Sequence, residues 1–279
     1  MHKKFKFKID DKQFSFNAEG SPPLKYGIQE RLSNERTDLT FGQEWYEKGF
    51  KIFPFLGKTE FNSLYSGISN CVRSILSEKG IEVTNFQLNK YHRFLPDNNS
   101  HYEVVNKTRD LFSSDFDFNT AVFYKKLSEL VGFELTDINP NNEKKMHIII
   151  RINRPRSNDF NPPHKDIHES FDRDKNVYKF INFWIPICGV SLKSSLPLVS
   201  GSHLLPEDKI LRTFEGGVIQ KKKYNVRNIV SWDGRNDLRR EDIRYGNVLI
   251  FSSHLIHGCA INDQDEETRV ALEFRLFKK

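Results

Sequence analysis

Four segments in the second half of the chain constrain its fold most. MHIIIRIN (146–153), VYKFINFWIPI (177–187), NVLIFSS (247–253) and RVALEFRLF (269–277) are dense in Ile, Val and aromatic residues. That composition suits a pleated, half-buried surface. Turn-rich stretches separate the four, so they read as strands. Successive side chains of a strand point to opposite faces. Arg269, Ala271, Glu273 and Arg275 therefore share one face of the last segment, and Val270, Leu272, Phe274 and Leu276 the other. Asn182 and Trp184 stand opposite Ile181, Phe183 and Ile185 in the same way, and His147, Arg151 and Asn153 opposite Ile148, Ile150 and Ile152. A polar inner face beside an apolar outer one fits a barrel with a polar mouth.

The first half reads differently. Phe5, Phe7 and Ile9, then Phe14 and Phe16, alternate with polar residues around DDK, which predicts a hairpin over 1–20. Residues 21–42 read as a loop, EWYEKGF as a short helix and GFKIFPF as a strand. From Lys58 the spacing of Phe61, Leu64, Ile68, Val72, Ile75 and Leu76 predicts a helix that ends at Gly80. Two further helical pieces lie in 101–132. The expected plan is one domain over 1–279: a hairpin and loop (1–44), a helical part (45–145) and a β core (146–279). The stretch 204–244 reads as a long insertion, and 92–118 and 154–177 as loops near the barrel mouth.

The 24 Phe, 9 Tyr and 3 Trp argue against a disordered chain. Three cysteines (Cys71, Cys188, Cys259) offer neither a disulfide framework nor a CxxC zinc pattern. No apolar run is long enough to span a bilayer and no secretory leader is visible, so the expected setting is cytoplasmic, without a membrane. The net charge of +6 is spread over KKFKFK, RINRPR and KKK, with no zinc finger, RNP motif or basic heptad helix. The expected partner is a small anionic or zwitterionic molecule and not nucleic acid. The oligomeric state is open.

NPPHKDIHES (161–170) puts His164, Asp166 and His168 on alternate positions. A lone His-x-Asp is weak. FSSHLIHG adds His254 and His257 at the end of an apolar strand, and Arg269 follows twelve positions after His257. Two histidines and one carboxylate from separate strands form the facial triad of non-haem Fe(II) oxygenases, which leaves three positions open. A nearby arginine grips a carboxylate in a fork, which lysine cannot. A zinc hydrolase using His164, Asp166 and His168 or His257, a non-catalytic jelly-roll binding module and a basic nucleic-acid binder are the competing readings. The first leaves Arg269 unexplained.

HKD (164–166), FINFWIPICGVSLKSSLPLVSGSH (180–203) and YGNVLIFSSHLIHGCAINDQDEETRVALEFRL (245–276) make the sequence similar to the phytanoyl-CoA dioxygenase-like (PhyH) branch of the Fe(II)/2-oxoglutarate-dependent dioxygenases. Ser195 and Ser200 replace a Gly and a Pro of the family segment, and YGN replaces its usual pGD. The resemblance implies a double-stranded β-helix, or jelly roll, with the N-terminal helices on one sheet. It implies Fe(II) on His164, Asp166 and His257, with 2-oxoglutarate and O2 as cosubstrates. Arg269 would bind the distal carboxylate of 2-oxoglutarate. Cys259 matches a position often held by Ser. Asn182 and Trp184 are expected beside the cosubstrate. His147, Arg151, Asn153, His168 and Arg275 are candidates for substrate contacts or support. His168 is expected at the pocket mouth, His254 facing away from the metal, and His203 in a structural turn. The implied reaction is hydroxylation coupled to conversion of 2-oxoglutarate to succinate and CO2.

Overall fold

The computed structural model describes residues 2–19, 23–157, 159–168, 179–213, 217–219, 222–224 and 226–279. Residues 177 and 178, the start of one expected strand, lie outside them. The described residues are mainly β, with three α-helices among them. β1 (His2–Ile9) and β2 (Lys12–Glu19) form the hairpin, turned at Asp10 and Asp11 with φ of 49° and 67°. Positive φ at both central residues is what the favoured two-residue hairpin turn needs, and Asp tolerates it. β3 (Leu24–Tyr26) and β4 (Phe50–Pro54) follow. Residues 43–49 are turns and not the expected helix, closed by Gly49 N donating to Trp45 O.

α1 (Lys58–Glu78) starts where Gly57 N donates to the Glu60 carboxylate, and a glycine with φ of 73° follows its end, at Gly80. α2 (Asn98–Lys107) is capped by Asp97, which accepts from Ser100 N at 2.8 Å. α3 (Thr120–Val131) is capped by Asn119. These side chains satisfy N–H groups that the first helical turn cannot pair internally. No helix among the described residues is long and apolar enough to cross a membrane.

The core strands are β5 (Leu135–Thr136), β6 (Ile149–Asn153), β7 (Phe180–Cys188), β8 (Pro197–Leu198), β9 (Ile210–Thr213), β10 (Gly217–Ile219), β11 (Lys222–Tyr224), β12 (Ile229–Trp232), β13 (Asp237–Arg240), β14 (Asn247–Ser252) and β15 (Arg269–Lys278). One sheet runs β4-β14-β7-β15, and β15 pairs with both β5 and β6. Its outer face packs under the helices. Ile150, Ile152, Ile181, Phe183, Val270, Leu272 and Phe274 meet Leu64, Ile68 and Val72 of α1 there. The facing layer is made of shorter pieces. β8 pairs with β13, isolated bridges join His164 to His257 and Leu198 to His257, and Ile229 N donates to Pro163 O. Between the two layers Trp184, Ala271, Leu249 and Phe251 meet Leu196, Leu198 and Leu255. This is a jelly-roll type of β core.

The stretch 204–244 is not an unstructured loop, as its turn-rich sequence suggested. It carries β9 to β13, and β3 lies in the expected 21–42 loop. β10 pairs with β2, β13 pairs parallel with β1, and β9 with β3. The N-terminal segment and the insertion thus complete each other's sheets. Phe5, Phe7, Ile9 and Phe16 pack against Phe160, Trp232, Ile256 and Cys259 and seal that side of the core.

Candidate metal centre and cavity

His164, Asp166 and His257 offer ligand atoms that all lie within 4.8 Å of one another. The two histidines form an antiparallel bridge: His164 N donates to His257 O at 2.8 Å, and His257 N to His164 O at 3.0 Å. Gly258 allows this approach. Its φ is 125°, and a Cβ there would meet Pro162 O at 2.5 Å and the His164 Nδ1 at 3.0 Å. Each ring is held from behind. His164 Nδ1 donates to Pro162 O at 2.7 Å and His257 Nδ1 to Leu255 O at 3.0 Å. That fixes the tautomer with the Nε2 lone pair forward, as metal-ligating histidines require. Burial, then the neighbouring His257, pushes the His164 pKa down to about 4, so the ring is neutral. Nε2 of His164 is 4.0 Å and Nε2 of His257 3.9 Å from the Asp166 carboxylate. Two neutral imidazoles and a carboxylate with both Nε2 atoms converging fit a divalent metal.

Asp166 does not sit in a regular strand. Asp166 N and Ile167 N both donate to Ser253 O. Its carboxylate is gripped from the large sheet: Arg275 Nη2 donates to Oδ1 and Asn182 Nδ2 to Oδ2, each at 2.8 Å. Burial alone would raise the Asp166 pKa, but Arg275, His257 and His164 hold it below the usual range.

A cavity opens from the two histidines. Trp184, Arg151, Asn153, Arg269 and Glu273 line it from the large sheet, with His101, Tyr102, Val105 and Arg109 from the α2 region and Asp159, Phe160, Leu196 and Cys259 from the connecting segments. Arg269 is 1% exposed. Its Nη1 donates to Asn153 Oδ1 at 2.5 Å, its carbon lies 5.1 Å from the Trp184 ring centre, and its Nε has no partner. No carboxylate among the described residues forms an ion pair with it. Burial, and Arg151 nearby, push its pKa down to about 9. The Trp184 indole N–H is likewise buried without a partner. Glu273 is already taken: Arg151 Nε and Nη2 donate to its two oxygens at 2.9 and 2.8 Å. Against its burial, Arg151 holds the Glu273 carboxyl below the ordinary range.

Arg154 ties the α2 region to this cavity. It donates to Leu95 O, Pro96 O and Asp97 O, and to both oxygens of Asp159, which also lies 3.1 Å from His101 Nε2. His101, Tyr102 and Arg109 are not among the sequence-predicted site residues; the usable signal is spacing, since His101 and Val105 stand four apart and share a helix face.

Several expected placements are corrected. Asn182 shares a face with Trp184, but it holds Asp166 and does not line the cavity. Arg275, expected as a substrate contact or a support, takes the second place: it holds Asp166 and does not line the cavity. His147 stacks on Phe112 at 4.5 Å, outside the cavity, because β6 begins only at Ile149. His168 does not line it either: the backbone leaves the extended path after Asp166, and Ile167 packs on Phe180 and Phe277. Burial and the charges of Lys165, Arg227 and Arg212 push the His168 pKa well down. His254 points away, with Nε2 3.1 Å from Thr37 O, and His203 packs edge-on to Tyr46. Lys165 shares a buried ion pair with Glu207.

No family model matches the chain, and no curated protein is significantly similar to it. Among solved structures it is similar to EctD from S. alaskensis, determined with 2-oxoglutarate and 5-hydroxyectoine (12% identity, TM-score 0.48, 94% of this chain and 86% of that one). It is also similar to SnoK, a non-haem alpha-ketoglutarate-dependent carbocyclase (14%, 0.43, 93% and 87%). For EvdMO1 the values are 15% and 0.47, over 83% of this chain but only 48% of that one.

Proposed function

We propose that this chain is a non-haem Fe(II)/2-oxoglutarate-dependent oxygenase. It would hydroxylate an unactivated C–H bond of a small polar or anionic molecule, with O2 as oxidant and 2-oxoglutarate converted to succinate and CO2. One observation carries the reading: a two-histidine, one-carboxylate cluster opens into the same cavity as a buried arginine that has no acidic partner among the described residues. A buried guanidinium calls for an anion. A hydrolytic zinc site would not need one there. The phytanoyl-CoA dioxygenase-like assignment rests on the motif residues quoted above.

His164, Asp166 and His257 would hold the metal, and Arg269 the distal carboxylate of 2-oxoglutarate. Iron and the cosubstrate together supply the oxidising chemistry; the chain supplies position and dryness. Trp184 backs Arg269 with its ring and offers an N–H to the bound anion. Arg151 keeps Glu273 neutralised, so that its charge does not repel the incoming dianion. Phe160, Leu196 and Cys259 exclude water near the histidines. Tyr102 of α2 and Arg109, just past its end, line more of the cavity, so they would meet the substrate. The net charge of +6 is what favours an anionic group there.

The test is anaerobic titration with Fe(II) and then 2-oxoglutarate, followed by the weak visible charge-transfer band of the ternary complex. Wild type should show it, and Asp166→Ala and Arg269→Ala should weaken it. Folded, iron-loaded protein without the band overturns the reading. A substrate KM indifferent to salt would count against the anionic substrate.

A further inference from the structure

The backbone of Asp166 is tied to Ser253 O and takes no part in a β-pairing. It lies outside regular strand, while His164 and His257 are fixed by a mutual bridge. The large sheet reaches across to it. Arg275 and Asn182 are direct cross-strand partners on β15 and β7, and each donates to a different oxygen of the carboxylate at 2.8 Å. Asn182 is 1% exposed and leaves its own Oδ1 without a partner in order to present its N–H groups to Asp166. A carboxylate cannot donate, so the amide orientation follows from the contact. The Arg275 guanidinium also lies 3.7 Å from Glu273, which keeps it over the sheet.

We infer that the Arg275–Asn182 pair is the positioning device of the metal centre: it sets the Asp166 carboxylate against His164 and His257 and so determines metal affinity. This rests on the metal-centre reading. Neither residue touches the metal or the substrate. Both act through Asp166. Partners of this kind, bonded to a metal-binding side chain from behind, typically change metal affinity ten- to a hundredfold when removed.

The probe is Co(II), titrated anaerobically into metal-free protein and followed by its visible absorption, without 2-oxoglutarate or turnover. Arg275→Ala, Arg275→Lys, Asn182→Ala and Asp166→Ala are compared with wild type, each checked for folding by circular dichroism and melting. The expected result is Co(II) affinity ten- to a hundredfold lower for Arg275→Ala and Asn182→Ala, with an altered absorption pattern. Arg275→Lys should recover part of it by restoring the charge. If Asp166→Ala loses Co(II) while folded Asn182→Ala and Arg275→Ala keep wild-type affinity and spectrum, the positioning role is wrong and the metal centre stands. If wild type takes up no Co(II), or Asp166→Ala binds as wild type does, the metal-centre reading fails and the inference with it. Should Arg275→Ala not fold, Asn182→Ala alone decides.

Discussion

Arg269 lies directly opposite Asn153 across the β15–β6 pair, and its Nη1 donates to the neutral Asn153 Oδ1 at 2.5 Å instead of to a carboxylate. Glu273, an acid of the same cavity, is engaged by Arg151. A cation is thus kept dry and only half satisfied, which makes stability and anion binding pull in opposite directions at one residue.

Arg269→Met should separate the two. Affinity for 2-oxoglutarate should fall about a hundredfold, in keeping with the several kcal/mol lost when a buried charge contact is removed. The melting temperature of the ligand-free protein should hold or rise, because replacing buried charge with an apolar chain of similar size is often neutral or stabilising. Calorimetric titration and thermal melting check this. A variant that melts lower and still binds 2-oxoglutarate normally would contradict it.

The Arg151–Glu273 pair predicts the reverse. Glu273→Met leaves Arg151, half-buried beside Arg269, without the carboxylate that two of its nitrogens engage. Breaking such a pair costs about 3–5 kcal/mol. The double variant Arg151→Met, Glu273→Met should be more stable than the single Glu273 variant. Urea unfolding measures both, and equal losses in the two would show that the charges are not coupled.

Gly258→Ala should disturb the metal centre without altering any ligand. The new Cβ meets Pro162 O and the His164 ring, so the bridge between His164 and His257 has to open. Lower metal content per folded chain, measured by atomic emission, is the expected result. Full metal occupancy would show that the bridge tolerates the methyl group.

Acid should destabilise the fold in two stages. The pKa of His164 is about 4, and burial, then the Lys165 charge, also places that of His254 below the ordinary value. Between pH 6.5 and about 4 the unfolded chain takes up protons that these buried rings refuse, so metal-free stability falls as pH drops. Asp159 and Glu273 titrate below the ordinary carboxylate range. Their contribution is present above pH 4 and is lost as pH falls further. Urea unfolding at a series of pH values should show both slopes, and a flat profile from 6.5 to 4 would refute the first.

Alternation made much of this site legible. On β15 and β7 the side chains from Phe180 to Pro186 and from Ala271 to Phe277 fall where a period of two puts them, because the register is unbroken there and shifts only between Val270 and Ala271. Height along a strand was not legible. Asn182 and Trp184 share a face, yet Asn182 lies opposite Arg275 and Trp184 opposite Glu273, so one meets Asp166 and the other the cavity. His147 departs for a different reason: it lies before β6 begins, and alternation holds only inside a strand. His168, expected at the pocket mouth, lies in a loop whose path no periodicity fixes. The α2 wall was hidden because its placement depends on Arg154 gripping three carbonyls of the preceding loop, a contact without local sequence signature.

The pairing of β1 with β13 bears on the order in which the molecule can assemble. Asn236 Nδ2 donates to Lys6 O, a contact between residues 230 apart in the chain. During synthesis the hairpin emerges early, but the strand it lies against is made only after both β7 and the first two metal-binding residues. Contacts so distant in sequence form slowly. Phe5, Phe7 and Phe16 therefore wait uncovered until β13 and Trp232 have been made, and the growing chain is exposed to aggregation at this hairpin meanwhile.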